Sequence, residues 1–377
     1  MFGKAFLLSA IALLAPLIAS AADVANWEGP HIDVSPDNRA IDWWYTQVVA
    51  QKAAPNGNTF QFGTSNTPLY SVEVNGFDLD GLPFAQTLTF NTSVVAATGN
   101  GLETKGTWGN NEIGFVANSD LKIFTVTLNT ANVSGTIVIN SESSFRTGCG
   151  GTKVTDSPFF DQLVSDGRPL TAAEVILYRK TGWRITAPEL STKFLTGIHP
   201  AGSSTVNVVF GGKQITFSGA GYKDSNWGPN AMNDFIKSWY VLIAQVGPWS
   251  FVTFSGSTID GTNAINSGHI SFNGQFVSSQ CNIIGERKKD ISIITPSGEA
   301  TEAGVVVPTA FDLTFVLPNS KNVTFHATNI DVNPSVSVYH RWVAKYTGGA
   351  VGEKQYESFG ITEWMNPSRT AHWPTIP

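Results

Sequence analysis

Cysteine is almost absent: Cys149 and Cys281 are the only two in 377 residues. That excludes a disulfide-knit small scaffold and a cysteine-rich zinc module. Charge is scarce too, at 14% of residues against 42% hydrophobic, a globular composition rather than a disordered one. A net charge of −6 and a pI near 5.5 leave no basic face for nucleic acid or an anionic membrane. The chain has no G-x-S-x-G elbow, no H-E-x-x-H and no P-loop. Its six histidines, at 31, 199, 269, 326, 340 and 372, show no close ligand spacing, so neither a metal nor a cofactor is expected. Gly219-x-Gly221 lacks the third glycine of a dinucleotide fingerprint, because Asp224 stands in its place. After the N-terminus no apolar run approaches bilayer length.

What is present begins with MFGKAFLLSAIALLAPLIASA: a lysine, a short apolar stretch and a small-x-small site. That reads as a cleaved secretory leader, residues 1–21, and predicts an exported protein. Asn91, Asn132 and Asn322 each open an N-x-S/T triplet and are expected glycosylation sites if the host is a eukaryote. In an oxidising compartment the cysteine pair favours a disulfide between Cys149 and Cys281, with two buried thiols as the alternative. Such a bridge would constrain the unfolded chain by about 4–5 kcal/mol.

Period-two alternation dominates the rest. Tyr70, Val72 and Val74 share one face before Asn75-Gly76, which reads as a turn. "LKIFTVTLNTANVSGTIVIN" reads as two strands about a polar turn, and "VNVVFGGKQITF" as a hairpin on Gly211-Gly212. "FDLTFVLPNSKNVTFHATN" repeats the pattern, and "PSGEATEAGVVVP" at 296–308 reads as a long surface hairpin loop. Helical signals are confined to "TAAEVILYRK", with a capping box at Thr171 and Glu174, and a turn in "NAMNDFIKSW". Many short strands without interleaved helices predict an all-β protein of antiparallel barrels or sandwiches. The length calls for two domains, placed at 22–217 and 218–377, with a pocket where they meet.

Three segments combine a carboxylate with aromatics: "AIDWWYTQVV", "GAGYKDSNWGP" and "YESFGITEWMNP". If the first is a strand, Asp42 and Trp44 share one face while Trp43 and Tyr45 share the other. An extended second segment sets Tyr222, Asp224 and Asn226 on one side and Lys223, Ser225 and Trp227 on the other. A turn and core role for these residues is the plain alternative, since Asp and Asn beside glycine make turns and tryptophans fill cores.

These motifs carry a resemblance. "DWWY" resembles the Glu-Trp-Trp-Tyr signature of two-domain lipocalin-like proteins typified by hydroxyneurosporene synthase, a carotenoid hydratase. "GYKDSNWG" is similar to their Gly-Tyr-His-Asp-His-Asn-Trp-Gly, and "FGITEW" to their C-terminal Gly-x-x-x-Glu. "SWYVLIAQVGPWSFVTF" resembles the matching stretch of fungal lipocalin-like Diels–Alderases. Two lipocalin-like barrel or sandwich domains and a cofactor-free pericyclase are what this implies. The leader, the triplets and the cysteine pair fit the secreted hetero-Diels–Alderases that join a tropolone-type o-quinone methide to a humulene-type alkene. Asp42 replaces the family Glu, and Lys223 and Ser225 replace two histidines, so histidine acid–base chemistry does not carry over.

The expected site has Lys223 and Tyr222 as donors to a developing oxyanion, with Asp224 orienting Lys223 or assisting loss of water. Trp43, Trp44, Tyr45, Asn226, Trp227, Trp342, Glu363 and Trp364 are the expected substrate walls, with Asp42 and Glu363 bracing them. The expected partners are small apolar polyketide or terpenoid molecules. A terpenoid hydratase or isomerase with Asp224 or Glu363 as proton donor, and a secreted carrier without chemistry, are the other readings.

Overall fold

The computed structural model describes residues 41–51, 59–65, 70–98, 103–142, 146–147, 195–199, 202–228, 236–259, 264–282, 292–318 and 321–374. In chain order the strands begin β1 (Ile41–Ala50), β2 (Thr59–Ser65), β3 (Ser71–Phe77), β4 (Pro83–Thr89), β5 (Ser93–Thr98) and β6 (Glu103–Trp108). Next come β7 (Ile113–Ala117), β8 (Ile123–Asn129), β9 (Val133–Ser141), β10 (Arg146–Thr147), β11 (Leu195–His199), β12 (Gly202–Phe210) and β13 (Lys213–Gly228). Then follow β14 (Ile236–Val246), β15 (Trp249–Thr258), β16 (Ala264–Phe272), β17 (Gln275–Asn282), β18 (Ser292–Ser297), β19 (Ala300–Glu302) and β20 (Val305–Val307). The last are β21 (Ala310–Val316), β22 (Asn322–Val336), β23 (Tyr339–Ala350) and β24 (Tyr356–Met365).

These strands form two curled antiparallel sheets and one small hairpin. The first sheet has 13 strands, with the order β4-β3-β2-β1-β13-β12-β9-β8-β7-β6-β5 and β10-β11 set against β13. The second has nine, ordered β17-β16-β15-β14-β24-β23-β22-β21-β18, and β19 pairs β20 separately. The all-β expectation holds among the described residues, and no helix there is long and apolar enough to cross a membrane.

Alternation explains the two cores. Inward side chains of the first sheet, among them Trp44, Val48, Trp108, Phe115 and Val126, form one apolar cluster. Tyr240, Phe251, Phe311, Trp342, Tyr346 and Trp364 anchor the other inside the second sheet. Between the sheets runs a third buried layer, which we call the seam. It contains Val49, Phe77, Val343 and Ile361, with Tyr222, Ile243 and Val252 beside them. β1 and β13 therefore bury both faces, one in the first core and one in the seam. Trp44, Thr46 and Val48 of β1 are at most 1% exposed on one face, and Gln47 and Val49 are 2% exposed on the other.

The β12–β13 hairpin turns on Gly211-Gly212 with φ of 56° and 81°, the left-handed pair that a two-residue turn of type I′ requires. Gly219 has a different role. A Cβ there would lie 2.1 Å from the Val49 carbonyl oxygen, so the glycine lets β13 close on β1. Gly219→Ala should cost about 1–3 kcal/mol through overpacking against rigid backbone. Thermal unfolding checks this, and an unchanged melting temperature would disprove the close-approach reading.

Several sequence expectations are corrected. Asn75-Gly76 is not a turn but lies inside β3; the chain turns at Asp78–Gly81, where Asp78 Oδ1 accepts from the Asp80 and Leu82 amides. The stretch at 296–308 is the expected hairpin, β19 paired with β20, but it is not wholly on the surface, since Val305 and Val307 are buried. Ile236–Trp239, placed in a helical turn, begin β14, because alternation lets them bury on the second sheet. The boundary expected near 217 falls within β13, and the change of sheet comes between Gly228 and Ile236. Residues 1–21, the 171–180 helix, Cys149, and the side chains of Cys281, Asp42, Asn226 and Trp227 lie outside the described residues. Asn91, Asn132 and Asn322 are exposed.

Candidate functional site

The first two signature segments are hydrogen-bonded neighbours. β1 and β13 pair with Trp44 opposite Ser225, Tyr45 opposite Asp224, Thr46 opposite Lys223 and Gln47 opposite Tyr222. Alternation then divides them: Tyr45, Gln47, Tyr222 and Asp224 enter the seam, while Trp44, Thr46, Lys223 and Ser225 enter the first core. The third segment reaches the same seam through Glu363 of β24, which pairs with Arg341 of β23 and Val241 of β14.

Within the seam, the Tyr222 hydroxyl donates to Asp224 Oδ2 at 2.8 Å, and the Tyr45 hydroxyl donates to Gln47 Oε1 at 2.6 Å. Arg341 Nε donates to Glu363 Oε1 at 2.6 Å, and the guanidinium also reaches the Tyr339 hydroxyl and Asn75 Oδ1. Its carbon lies 4.8 Å from the Tyr45 ring centre and 4.9 Å from that of Tyr339. The rings of Tyr45 and Tyr222 stand 6.2 Å apart. Asp224, Arg341 and Glu363 are all under one-tenth exposed.

Burial sets the protonation states. It pushes the phenols of Tyr45, Tyr222 and Tyr339 well above the ordinary tyrosine range, and Asp224 adds to the effect on Tyr222. Burial also works against the Arg341 charge, but the oxygens of Tyr339 and Tyr45 and the Glu363 carboxylate outweigh it. The seam thus holds neutral phenolic donors beside a fixed cation. Because these folded-state pKa values are raised, the stability they confer is complete below the free-tyrosine value of about 10 and is lost at higher pH. Tyrosinate absorbance from these groups should therefore appear in one step with unfolding. A gradual rise while the fold persists would contradict this.

The aromatic walls sort differently from the expectation. Trp44 meets Trp108 edge-on in the first core, at 6.0 Å between centres. Trp342 and Trp364 lie in the second core, flanking His340; their indole N–H groups donate to the Glu302 carboxylate at 3.1 Å and to Ser238 Oγ at 2.8 Å. These three tryptophans do not line the seam; half-buried Trp43 is on the strand face that does. Lys223 is fully buried, its Nζ 5.0 Å from the Phe124 ring centre, on the strand face opposite Tyr222 and Asp224. The sequence reading missed Arg341, Tyr339 and Asn75. A lone arginine in the aromatic strand "YHRWVAKY" was the available signal.

Residues 65–368 match the family model described as Diels-Alderase-like. The chain belongs to the Diels-Alderase-like family. Among the relatives of this family member, the quinolone epoxide rearrangement protein penF of Penicillium thymicola is 28% identical over 185 residues. That alignment spans 47% of this chain and about half, 49%, of the relative. The quinolone epoxide rearrangement protein asqO of Emericella nidulans is 22% identical over 354 residues, covering 89% of this chain and 84% of its own. The crystal structure of CghA with Sch210972 shares the fold, with a TM-score of 0.63 at 16% identity over 89% of this chain and 94% of that one.

Proposed function

We propose that this Diels-Alderase-like protein is a cofactor-free enzyme of pericyclic or rearrangement chemistry, acting on an oxygenated, otherwise apolar small molecule at the seam. One observation carries the reading: titratable side chains from β1, β13, β23 and β24 converge there, with buried Asp224 bonded to Tyr222 and Arg341 to Glu363. A cycloaddition exchanges no atoms with the protein. It needs two partners held face to face, and positioning alone supplies up to about 7–11 kcal/mol in favourable intramolecular cases.

The finer reading is a hetero-Diels–Alder addition joining a tropolone-type o-quinone methide to a humulene-type alkene. As the new bonds form, negative charge grows on the heterodiene carbonyl oxygen. The neutral phenols of Tyr222 and Tyr45 would turn from Asp224 and Gln47 to donate to it, with Arg341 as a nearby fixed charge. Asp224 would first accept the ring-hydroxyl proton of a hydroxymethyl precursor. The side-chain hydroxyl takes up a proton and leaves as water, generating the quinone methide. A dry seam protects that electrophile from water.

A second reading comes from the relatives' names. An epoxide oxygen would take the same phenolic donors, and its opening would start a rearrangement rather than a cycloaddition. The test incubates the purified protein separately with a hydroxymethyl-tropolone precursor plus humulene and with a quinolone epoxide, each against a protein-free control. Adduct above the control in the first arm supports the hetero-Diels–Alder reading, and product in the second arm alone replaces it. Ligand binding without product in either arm would make the protein a carrier.

A further inference from the structure

β22 leaves its ladder beside the seam. Val332 pairs with Trp342 and Ser335 with His340 on β23, so Asn333 and Pro334 together stand opposite the single residue Arg341. Two residues against one make a β-bulge, which bends a strand and re-aims a side chain. Pro334 suits the place, since it has no N–H for the ladder to use. Asn333 is 9% exposed, and its side-chain amide crosses to the first sheet. There its nitrogen donates to the Gly76 carbonyl oxygen at 2.8 Å and to that of Phe84 at 2.9 Å. Gly76 and Phe84 stand opposite each other on β3 and β4. The residue before Gly76 is Asn75, whose Oδ1 accepts from an Arg341 terminal nitrogen at 3.5 Å. A closed circuit results. It runs from Arg341 through Asn75 and Gly76 of the first sheet to Asn333, and back to Arg341 across the β22–β23 ladder.

We propose that Asn333 is a positioning residue that clasps the two sheets and thereby holds the Arg341 guanidinium in a fixed place beside the Tyr45 ring. This role rests on the seam being the reaction site proposed above. Arg341 belongs to the second sheet, through its bond to Glu363 on β24, whereas Tyr45 and Asn75 belong to the first. Its distance from any group held on β1 or β13 is therefore set by how the sheets dock. Apolar burial along the seam attracts without direction. Two hydrogen bonds to carbonyls on paired strands fix a lateral position as well. Asparagine fits the task, because its amide nitrogen carries two N–H donors for two acceptors, whereas an aspartate would set oxygen against oxygen. A fixed charge helps a developing oxyanion only where it is already aimed, and a misplacement of about 1 Å can cost about a hundredfold in rate. Asn333 acts through Arg341 rather than on the substrate.

The experiment labels arginine and tyrosine in the whole protein and reads nuclear Overhauser contacts of the Arg341 side chain, identified by their loss in Arg341→Lys. In the wild type that side chain should contact Tyr339, on its own strand, and Tyr45, on the other sheet, whose ring centres lie 4.9 Å and 4.8 Å from its guanidinium carbon. Asn333→Leu keeps a similar volume and removes both donors. The contact with Tyr45 should then weaken several-fold while that with Tyr339 persists, a split that a general loosening of the fold would not give. kcat for the seam reaction should fall about ten- to a hundredfold with KM nearly unchanged. Persistence of both contacts in the folded variant, or an unchanged kcat, overturns the proposal. If Asn333→Leu fails to fold, hydrogen exchange in the wild type decides. The Asn333 side-chain N–H protons should exchange roughly tenfold more slowly than those of exposed asparagines, and equal rates overturn the clasp. If the wild type converts neither substrate, the reading of the seam fails, while the Tyr45 and Tyr339 contacts still test the clasp.

Discussion

Asp224→Asn is expected to lower turnover roughly a hundred- to a thousandfold while leaving the melting temperature nearly unchanged. The substitution keeps the side-chain size and still lets Tyr222 donate to an oxygen, so the hydrogen bond of 2.8 Å survives. It removes the one property the proposed step requires, a carboxylate that can take a proton. Removing a positioned acid–base group typically costs this much. Affinity for a product analogue should change far less, since the lost interaction belongs to the transition state rather than to binding. Tyr222→Phe should have a smaller effect, because Tyr45 remains as a second donor in the seam. Turnover, analogue affinity and thermal unfolding of one Asp224→Asn preparation decide the matter. Wild-type turnover would remove Asp224 from the chemistry, and equal losses in rate and affinity would make it a binding residue.

The largest stability effect is expected at Arg341. Arg341→Met strands Glu363, a residue only 8% exposed, without its cation. Breaking a buried pair from one side costs about 3–5 kcal/mol, because a carboxylate is left desolvated and unpaired. The double variant Arg341→Met/Glu363→Gln should recover most of this loss, since the stranded charge is then gone. Denaturant midpoints at constant slope measure both effects. A double variant no more stable than the single one would show that Glu363 is not the source of the loss.

Much of the fold was written in period-two alternation. Val72 and Val74 share a buried face, and Gly211-Gly212 turns the hairpin it was expected to turn. The division of the second segment, with Tyr222 and Asp224 on one side and Lys223 on the other, follows from the same rule. What alternation does not reveal is the layer covering each face. Trp44, Trp342 and Trp364 have the composition of binding walls, yet they face the two cores. Tyr45 and Tyr222 face the seam only because a second sheet lies against theirs. Arg341 was invisible for a related reason, since its partners Glu363 and Asn75 are 22 and 266 residues away. Lys223 and Asp224 are adjacent in sequence, which suggested a working pair, but neighbours in a strand point to opposite faces.

Among the described strands, each sheet joins its earliest strand to its latest: β1 pairs with β13, and β14 with β24. The meander β5 to β9 consists of local hairpins and has what it needs early in synthesis, whereas the pairing of β1 with β13 must wait until residue 228 has emerged from the ribosome. The pairing of β14 with β24 must wait almost to the end of the chain. Pairings of such long sequence separation are slow, because loop-closure entropy is lost before the contacts reward it. Asp224, Tyr222 and Glu363 lie on those late-joining strands, and Arg341 is on the strand next to the last. Nascent chains stopped before residue 356 would lack β24 and leave β14 with an unpaired edge, a surface prone to aggregation. The proposed site is completed last, once β13 and β24 have joined their sheets.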